Sequence, residues 1–316
     1  MSKNWSNRYF RLLHNFFNMI KRTLFFGNPA YLSTKNEQLV VTFSDGSLEP
    51  RTVPIEDVGV VVLENQQITI TNGLLAKLSD KKIAVISCNQ QHLPCGLLLP
   101  IHGHSEQTER ARHQLNASLP LKKYLWQQTV TAKIQNQAFL LEEKGISVQK
   151  LKHLAKTVQS GDIGNNEAQA AAYYWQHIFP LPVFNRAQKG IPPNNLLNYG
   201  YAILRAVVAR ALVSSGLLPS VGIWHRNKYN AYCLADDIME PYRPFVDLVV
   251  SHIVETEDNY GELNTSLKKE LLTIPALDVT MEGQKSPLLV AVSRTTSSLF
   301  ECYLGTSRKI IYPEYG

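Results

Sequence analysis

The pentapeptide PIHGH, residues 100–104, separates two parts of the sequence that have different hydrophobic patterns. Before it, from Thr23 to about Leu99, short apolar runs rich in β-branched residues are typical of β-strands. After it, from Glu106 onward, long segments with helical periodicity predict α-helices. The predicted fold class is therefore α+β, with a small N-terminal β-rich domain followed by a larger all-α C-terminal domain.

The elements on either side of this segment follow from local patterns. Strands are predicted at residues 38–44, 58–63, 68–71 and 83–87, with a turn at Asp45-Gly46 and a short helix over Gly73–Leu78. Helices are predicted near residues 106–116, 121–143, 148–158, 165–177, 195–215, 231–255 and 286–303, with prolines between them.

We divide the chain into residues 1–18, 19–100 and 101–316. The first part is basic and aromatic but lacks the continuous apolar core and the small-residue cleavage site of a signal peptide. We treat it as an N-terminal extension, upstream of a possible start at Met19, and assign it no role. Residues 19–100 form the predicted β-rich domain, and residues 101–316 form the predicted α-helical domain with the candidate catalytic residues.

The composition is that of a globular protein, and its net charge favours a polyanionic partner. The chain has 316 residues, of which 44% are hydrophobic and 18% are charged. The 32 Lys and Arg residues exceed the 26 Asp and Glu residues, giving a formal net charge of +6. An excess of positive charge favours nucleic acid as a partner, although moderate basicity also improves solubility.

The cysteines and the hydrophobic runs exclude several classes of protein. None of the four cysteines is in a CxxC pair, which argues against zinc ribbons and thioredoxin-like sites. The simplest interpretation is reduced thiols in a cytoplasmic protein. No stretch reaches the roughly 18 uncharged apolar residues that a membrane span requires, so we expect no membrane partner.

The segment GIWHRNKYNAYCLADDIMEPYRPFVD, residues 222–247, concentrates groups that could carry chemistry. Asp237 and Glu240 are three positions apart, so on a helix both carboxylates would project from one face and repel each other. A divalent cation between them would offset this repulsion, and His225 could supply an imidazole to the same ion. The alternative is a surface helix with ordinary acidic residues.

Two other segments contain polar residues at predicted helix starts. In GNNEAQAAAYYWQHIF, Asn165 or Asn166 can cap a helix and place Glu167 in its first turn. The glutamate there could complement the helix dipole or serve a site. In NNLLNYGYAILRAVV, Asn194 and Asn198 are candidates to organise a neighbouring site.

The segments NNEAQAAAYYW, NNLLNYGYAILRA, GIWHRN and LADDIMEPYRPFVD, in this order, resemble the CRISPR-associated integrase family "Cas one", which inserts new spacers into a CRISPR array. The upstream segments TLFFGNPAYLS, VGVVVLENQQITIT and LWQQTVTAKIQNQ are similar to the same family, particularly its type II branch. The resemblance extends from Met19 to at least Asp247. It is specific because several separated motifs occur in order.

The resemblance implies which residues form the site. The family's metal-site glutamate falls on Glu167, its histidine on His225 and its last acidic ligand on Glu240. Asp237 matches a nearby acidic position and is expected to be auxiliary. Two departures are that Trp224 stands where many relatives have a second histidine, and that the last ligand is Glu instead of the Asp of some branches.

The resemblance also implies an activity, a cofactor and partners. The activity is a metal-dependent DNA endonuclease and integrase reaction, in which a 3′-hydroxyl attacks a phosphodiester with Mg²⁺ or Mn²⁺ bound. The expected partners are double-stranded DNA (prespacer and CRISPR repeat), a second copy of the chain that dimerises through the β-rich domain, and a small companion protein, "Cas two", in a heterohexamer. Whether the type II effector nuclease assists is left open.

Basic residues of the helical part are the candidates for contacts with DNA phosphates. They are Lys122, Lys123, Arg186, Arg226, Lys228 and Arg243, with Arg110, Arg112, Lys133 and Lys189 as further possibilities. Any one of them could instead be an ordinary surface residue, and Arg243 could pair with Glu240 or Asp247.

Two other functions compete with the integrase. A non-catalytic DNA-binding assembly subunit would bind DNA without binding divalent ions or joining oligonucleotides. A metal-dependent nuclease of DNA repair or RNA processing would hydrolyse generic substrates without transferring DNA into a repeat-containing target. Ion binding and oligonucleotide joining therefore discriminate among the three.

Overall fold

The computed structural model describes residues 21–43 and 49–315. The N-terminal extension, residues 1–18, and the hairpin turn predicted at Asp45-Gly46 lie outside the described residues. In the N-terminal part, the described elements are β1 (Arg22–Phe26), β2 (Ala30–Lys35), β3 (Gln38–Phe43), β4 (Arg51–Pro54), β5 (Val58–Leu63), β6 (Thr69–Ile70), α1 (Asn72–Asp80), β7 (Ala84–Cys88) and β8 (Pro94–Leu98).

These strands form two four-stranded sheets. One has the order β1-β5-β7-β8, in which β1, β5 and β7 are parallel and β8 is antiparallel. The other has the order β4-β3-β2-β6, with a parallel pair only between β2 and β6 among its described strands.

Strand β5 is buried on both faces. Val58 and Val61 belong to the core between the two sheets, whereas Val60 and Val62 pack into the core of the helical part. A strand covered on both faces has no polar face, which explains the unbroken apolar run VGVVVL. The first sheet thus joins the two parts of the chain.

The second part of the chain is mainly helical. Its elements are α2 (Gln107–Leu115), α3 (Leu119–Glu143), α4 (Gln149–Thr157), α5 (Asn166–His177), α6 (Asn194–Ser214), α7 (Cys233–Met239), α8 (Arg243–Thr256), α9 (Thr265–Leu271), β9 (Asp278–Met281), β10 (Gln284–Pro287) and α10 (Leu288–Leu304). The predicted order of a β-rich part before a helical part is confirmed. The second part is not purely helical, however, since β9 and β10 form an antiparallel hairpin.

The single helix predicted over residues 231–255 is wrong in one respect. Helices α7 and α8 are separated by a 3₁₀ turn, Glu240–Tyr242. Pro241 and Pro244 have no backbone N–H to continue the α-helical hydrogen-bond ladder, which favours a break here. As a result, Asp237 and Glu240 do not lie on one continuous α-helix.

Helix α6 is the central helix of this part. Among the described residues it is the one helix long and apolar enough to cross a membrane, but most of it is buried inside the fold. Leu197, Leu204 and Val208 are completely buried. An apolar helix surrounded by other elements in this way is typical of a protein core.

A buried ion pair connects the two parts of the chain. Glu64, which follows β5, pairs with Lys268 of α9, and the two side chains are only 6% and 7% exposed. We expect Glu64→Gln to lower the free energy of unfolding by about 3 kcal/mol, because it leaves the ammonium of Lys268 buried without its counter-charge. Urea denaturation followed by circular dichroism would measure the difference.

The exposed pair of Glu37 with Lys77 is the matched control. Glu37→Gln is expected to leave the denaturation midpoint almost unchanged, because water already screens this pair. Equal effects of the two substitutions would contradict a special role for the buried pair. The double variant Glu64→Gln/Lys268→Met is expected to recover much of the lost stability, since no unpaired charge is then left in the interior.

Candidate active site

The side chain of Lys133, from the middle of α3, lies between two glutamates. Its Nζ forms an ion pair with Glu167 at the start of α5, and it lies 2.6 Å from Oε2 of Glu240 in the 3₁₀ turn. Lys133 and Glu240 are buried, whereas the side chain of Glu167 is 32% exposed. These three residues, from three separate elements, form a charged cluster that solvent can reach from the side of Glu167.

Lys133, one of the further candidates for contact with DNA phosphates, is buried and is therefore not part of an exposed basic surface. Helix α3 buries one face along its length, including Trp126, Val130 and Gln137, which lie near Lys133 at helical spacing. A lysine on this face can be buried only if it finds acidic partners, and Lys133 finds two. The spacing of these residues is the sequence signal that could have indicated burial.

The position of Glu167 is fixed by the cap of α5. The carboxylate of Asp162 accepts the backbone N–H groups of Asn166 at 2.9 Å and of Glu167 at 3.0 Å. The predicted helix start is confirmed, but the predicted cap is not. Asn165 has a left-handed backbone with φ of 52° and makes no side-chain capping bond, so Asp162 satisfies the first N–H groups instead.

The 3₁₀ turn that carries Glu240 is held by two neighbours. Asn136 of α3 donates a hydrogen bond of 2.8 Å to the carbonyl of Pro241. Arg243 Nε lies 2.9 Å from Oε1 of Glu240. The carboxylate of Glu240 is therefore fixed between Arg243 on one oxygen and Lys133 on the other.

The electrostatics of the cluster keep its members charged. Burial alone raises the pKa of Glu240, but Arg243 and Lys133 together bring that pKa below its ordinary value. Burial alone lowers the pKa of Lys133, but Glu240 and Glu167 bring it above its ordinary value. Lys133 and Glu240 therefore both stay charged in the interior, because each has oppositely charged neighbours.

A second arrangement holds His225 beside this cluster. The fully buried carboxylate of Asp237 accepts the backbone N–H groups of Ile223 at 2.7 Å, Trp224 at 2.9 Å and His225 at 3.2 Å. Its Oδ1 also lies 2.5 Å from Nδ1 of His225. An ionised carboxylate can only accept, so Nδ1 donates and Nε2 is left to bind another group.

The imidazole of His225 is half-exposed and responds to its acidic neighbours. The hydrogen bond to Asp237 raises the pKa of His225 above its ordinary value, against the lowering effect of burial. The charges of His225 and Glu240 also act on each other, since each shifts the pKa of the other toward its charged form. His225 and Glu240 therefore belong to one electrostatic site.

Two tryptophans fix the loop that carries His225. The ring of Trp224 stacks on that of Trp126 with a centroid distance of 5.6 Å and an interplanar angle of 3°. The imidazole of His225 meets the same Trp126 ring edge-on at 5.7 Å. Because Trp126 lies two turns before Lys133 on α3, this helix positions the histidine loop and the lysine together.

A buried carboxylate that sequence reasoning did not assign supports the site from behind. Asp247 of α8 accepts hydrogen bonds from Tyr201 of α6 at 2.5 Å and from Tyr174 of α5 at 2.9 Å. Burial raises the pKa of Asp247 to about 6. This network ties the helix of Glu167 to the helix that begins with Arg243.

The cluster does not contain a preformed metal centre. Within residues 21–43 and 49–315, no three His, Cys, Asp or Glu side chains are grouped closely enough to hold an ion. The donor types of Glu167, His225 and Glu240 nevertheless suit Mg²⁺ or Mn²⁺. Oε2 of Glu240 is buried and lacks a hydrogen bond of good geometry, so a ligand atom is available at the position that Lys133 now fills.

The basic residues proposed for DNA binding have different surroundings. Arg226 and Lys228 are exposed on the loop after His225, and Lys122 and Lys123 are half-buried at the start of α3. Two other candidates, Arg186 and Arg243, are engaged within the protein. Arg186 donates to the side chains of Asn194 and Asn198 at 2.9 and 2.8 Å, and Arg243 pairs with Glu240.

Comparison with known proteins agrees with the fold and with the motifs. Residues 24–272 match the family "CRISPR associated protein Cas1". A CRISPR-associated endonuclease Cas1 from Neisseria meningitidis serogroup C (strain 8013) is 40% identical over 282 residues, which cover 89% of this chain and 91% of that protein.

Two solved structures share the fold at low sequence identity. A casposase bound to integration product has a TM-score of 0.73 and 19% identity, covering 92% of each chain. A Cas6-RT-Cas1–Cas2 complex has a TM-score of 0.70 and 20% identity, covering 94% of this chain and 36% of that one. The family match and the Neisseria relative both span most of the sequence. This chain therefore belongs to the CRISPR-associated Cas1 family of endonucleases.

Proposed function

We propose that this enzyme is a metal-dependent DNA endonuclease and integrase that inserts short foreign DNA segments as new spacers into a CRISPR array. The observation that carries the proposal is the approach of Glu167 and Glu240 to one ammonium group, with the half-exposed His225 packed on Trp126 of the helix that carries this lysine. Family membership and the likeness of the fold to a casposase bound to integration product support the same reaction.

Three side chains would hold the ion in this proposal. Glu167 and Glu240 supply carboxylate oxygens from two elements, and His225 supplies Nε2, since its Nδ1 is engaged by Asp237. Asp237 is a positioning residue, because both of its oxygens are already occupied by the loop that it holds.

The chemistry assigns a separate task to each part of the site. Held by Glu167, His225 and Glu240, a divalent cation would polarise the scissile phosphate and stabilise the charge that develops when a 3′-hydroxyl attacks. Arg243 stays charged beside Glu240, and the Asp247 network keeps its helix in place. The loop anchored on Asp237 holds the half-exposed ring of His225 by Nδ1, which leaves Nε2 to bind the ion.

The exposed part of the same loop is the proposed start of the DNA-binding surface. Arg226 and Lys228 directly follow His225 and are exposed. We expect the double variant Arg226→Ala/Lys228→Ala to weaken DNA binding and to reduce the slope of log K against log salt by about 2, since each phosphate contact contributes about one released counterion. Fluorescence anisotropy with a labelled duplex at several salt concentrations measures that slope.

A double variant with the same loss of charge provides the control. Lys35 at the end of β2 and Lys285 in β10 are both exposed, and Lys35→Ala/Lys285→Ala removes two positive charges from elements outside the site. The salt slope of this variant is expected to stay close to the wild-type value. If both double variants reduce the slope equally, the effect comes from net charge and the loop is not a contact surface.

The partners of this enzyme are part of the proposal. The substrates are the prespacer and the CRISPR repeat, both double-stranded DNA, and the assembly is a homodimer formed through the β-rich part. A complex with a small Cas2 protein as a heterohexamer is supported by the structural likeness to a complex that contains Cas1 and Cas2. The type II effector nuclease is a further candidate partner, and the cytoplasm is the expected compartment.

An integration assay tests the whole proposal. The purified protein is incubated with a short labelled duplex and a plasmid that contains a repeat array, with and without Cas2, in Mg²⁺, Mn²⁺ or chelator. Joined product in either metal ion, and none in chelator, is the expected result. Equal joining in chelator would overturn metal dependence. Cleavage without joining would support endonuclease activity and contradict integrase activity.

A further inference from the structure

The ammonium group of Lys133 fills the space between Glu167 and Glu240, where the proposed function places a divalent cation. We propose that Lys133 is a built-in cation, which holds these two carboxylates together in the metal-free enzyme and leaves that space when the metal ion enters. This inference rests on the proposed function and adds a step to it, namely an exchange of one cation for another.

The need for a cation follows from the burial of the site. Glu240 is buried, and Glu167 is brought close to the same ammonium from a different element. Two ionised carboxylates in such a place repel each other strongly unless a positive charge lies between them. Arg243 pairs with Glu240, whereas Lys133 contacts both Glu167 and Glu240. Lys133 is therefore the residue whose charge lies between the two carboxylates.

The charge balance explains why the lysine has to leave. Glu167 and Glu240 carry two negative charges, and Lys133 and Arg243 carry two positive charges. A divalent cation added to this neutral, largely buried cluster would create a net charge of +2 next to an ammonium ion. Removal of the ammonium to solvent reduces both the net charge and the repulsion between the two cations.

The geometry allows such a movement. Nζ of Lys133 lies 2.6 Å from Oε2 of Glu240, but Oε2 accepts no hydrogen bond of good geometry. The contact is therefore an ion pair without a well-directed hydrogen bond. The side chain of Glu167 is 32% exposed, so the cluster is open to solvent on that side. The four-carbon stem of lysine can turn its head group toward this opening without any change in helix α3.

Affinity for Mn²⁺ separates this inference from a purely structural role of the lysine. Lys133→Met keeps the length of the side chain and removes its charge, whereas Lys133→Arg keeps the charge. Isothermal titration calorimetry with MnCl₂ on the full chain is expected to show binding at least about tenfold tighter for Lys133→Met than for wild type. Lys133→Arg is expected to show no gain, and Mn²⁺ is expected to raise the melting temperature of Lys133→Met more than that of wild type.

A measurement on the wild-type chain tests the exchange even if Lys133→Met does not fold. Lysine acetylation by a small reagent, followed by peptide mass spectrometry, reports how accessible Nζ of Lys133 is. Acetylation of Lys133 is expected to be slow in EDTA and several times faster with saturating Mn²⁺. Glu240→Gln, which lacks one ligand charge, is expected to lose this dependence on Mn²⁺.

The outcomes distinguish the two proposals. If neither wild type nor any variant binds Mn²⁺, the metal site itself is wrong and the exchange falls with it. If wild type binds Mn²⁺ but Lys133→Met binds equally or more weakly, or if the acetylation of Lys133 is the same with and without Mn²⁺, only the exchange is overturned. Tighter binding by Lys133→Met together with faster acetylation in Mn²⁺ supports it.

Discussion

Replacing His225 by alanine is expected to remove most of the DNA strand-transfer activity while leaving the protein folded. The imidazole is 46% exposed and makes its polar side-chain contact with Asp237, so its removal should change the free energy of unfolding by less than about 1 kcal/mol. Activity should fall by about 10²–10³-fold, because the site loses a ligand and with it much of its stabilisation of developing charge.

The measurement for His225→Ala is half-site integration in Mg²⁺ and in Mn²⁺, with the melting temperature and the DNA affinity determined on the same preparation. His102→Ala is the matched control, since His102 is an exposed histidine of the segment that joins the two parts of the chain. Wild-type integration by His225→Ala in both metal ions would show that the imidazole is not a ligand. A large loss of melting temperature would show that its role is structural.

The two-part fold could be predicted because its signals are local. Strand β5 is an unbroken apolar run, and helix α6 is apolar from Tyr199 to Val213 apart from Arg205 and Arg210. Such segments can be recognised in the sequence without knowledge of their neighbours. The hairpin of β9 and β10 was missed because its strands are short and largely polar. Glu282 and Gly283 of its turn both have positive φ angles, of 50° and 77°, as a two-residue type I′ turn requires. The pair Glu-Gly is a weak sequence signal for such a turn, because it lacks the Asn or Asp that usually precedes the glycine.

The candidate site could be predicted only in part, because its side chains come from distant positions. The resemblance to the family selected Glu167, His225 and Glu240. In the structure the two glutamates meet on one lysine, and the charge of His225 interacts with that of Glu240. Whether all three bind one ion stays a prediction. No pattern around Lys133 states that two carboxylates from other elements will surround it.

The spacing of Asp237 and Glu240 suggested that they share one cation, and the structure corrects this interpretation. Two carboxylates three residues apart on a helix would share a cation, but the break after α7 sends them to different partners. Asp237 holds the loop of residues 223–225, and Glu240 faces Lys133 and Arg243. Local spacing could not show this, because the outcome depends on the loop folding back onto α7.

We expect Asp237→Ala to destabilise the protein and to reduce its activity, since one buried carboxylate performs several tasks. It accepts three backbone N–H groups and the Nδ1–H of His225. Alanine leaves these donors without a partner and opens a cavity, which should lower the free energy of unfolding by about 2–4 kcal/mol. Because this variant combines two effects, Asp237→Asn is the sharper test.

Asp237→Asn is expected to separate folding from catalysis. Its amide oxygen can still accept the N–H groups of Ile223 and Trp224, so the loop should keep most of its anchor. Its NH₂ group then faces Nδ1 of His225 and can only donate, which makes Nδ1 an acceptor and moves the ring proton to Nε2. A protonated Nε2 cannot bind a metal ion, so Mn²⁺ affinity and integration should each fall by about 10- to 100-fold with a small change in stability.

The tautomer of His225 in Asp237→Asn can be measured directly by nitrogen NMR of the labelled histidine. An unchanged tautomer together with wild-type integration would show that Asp237 does not act through His225.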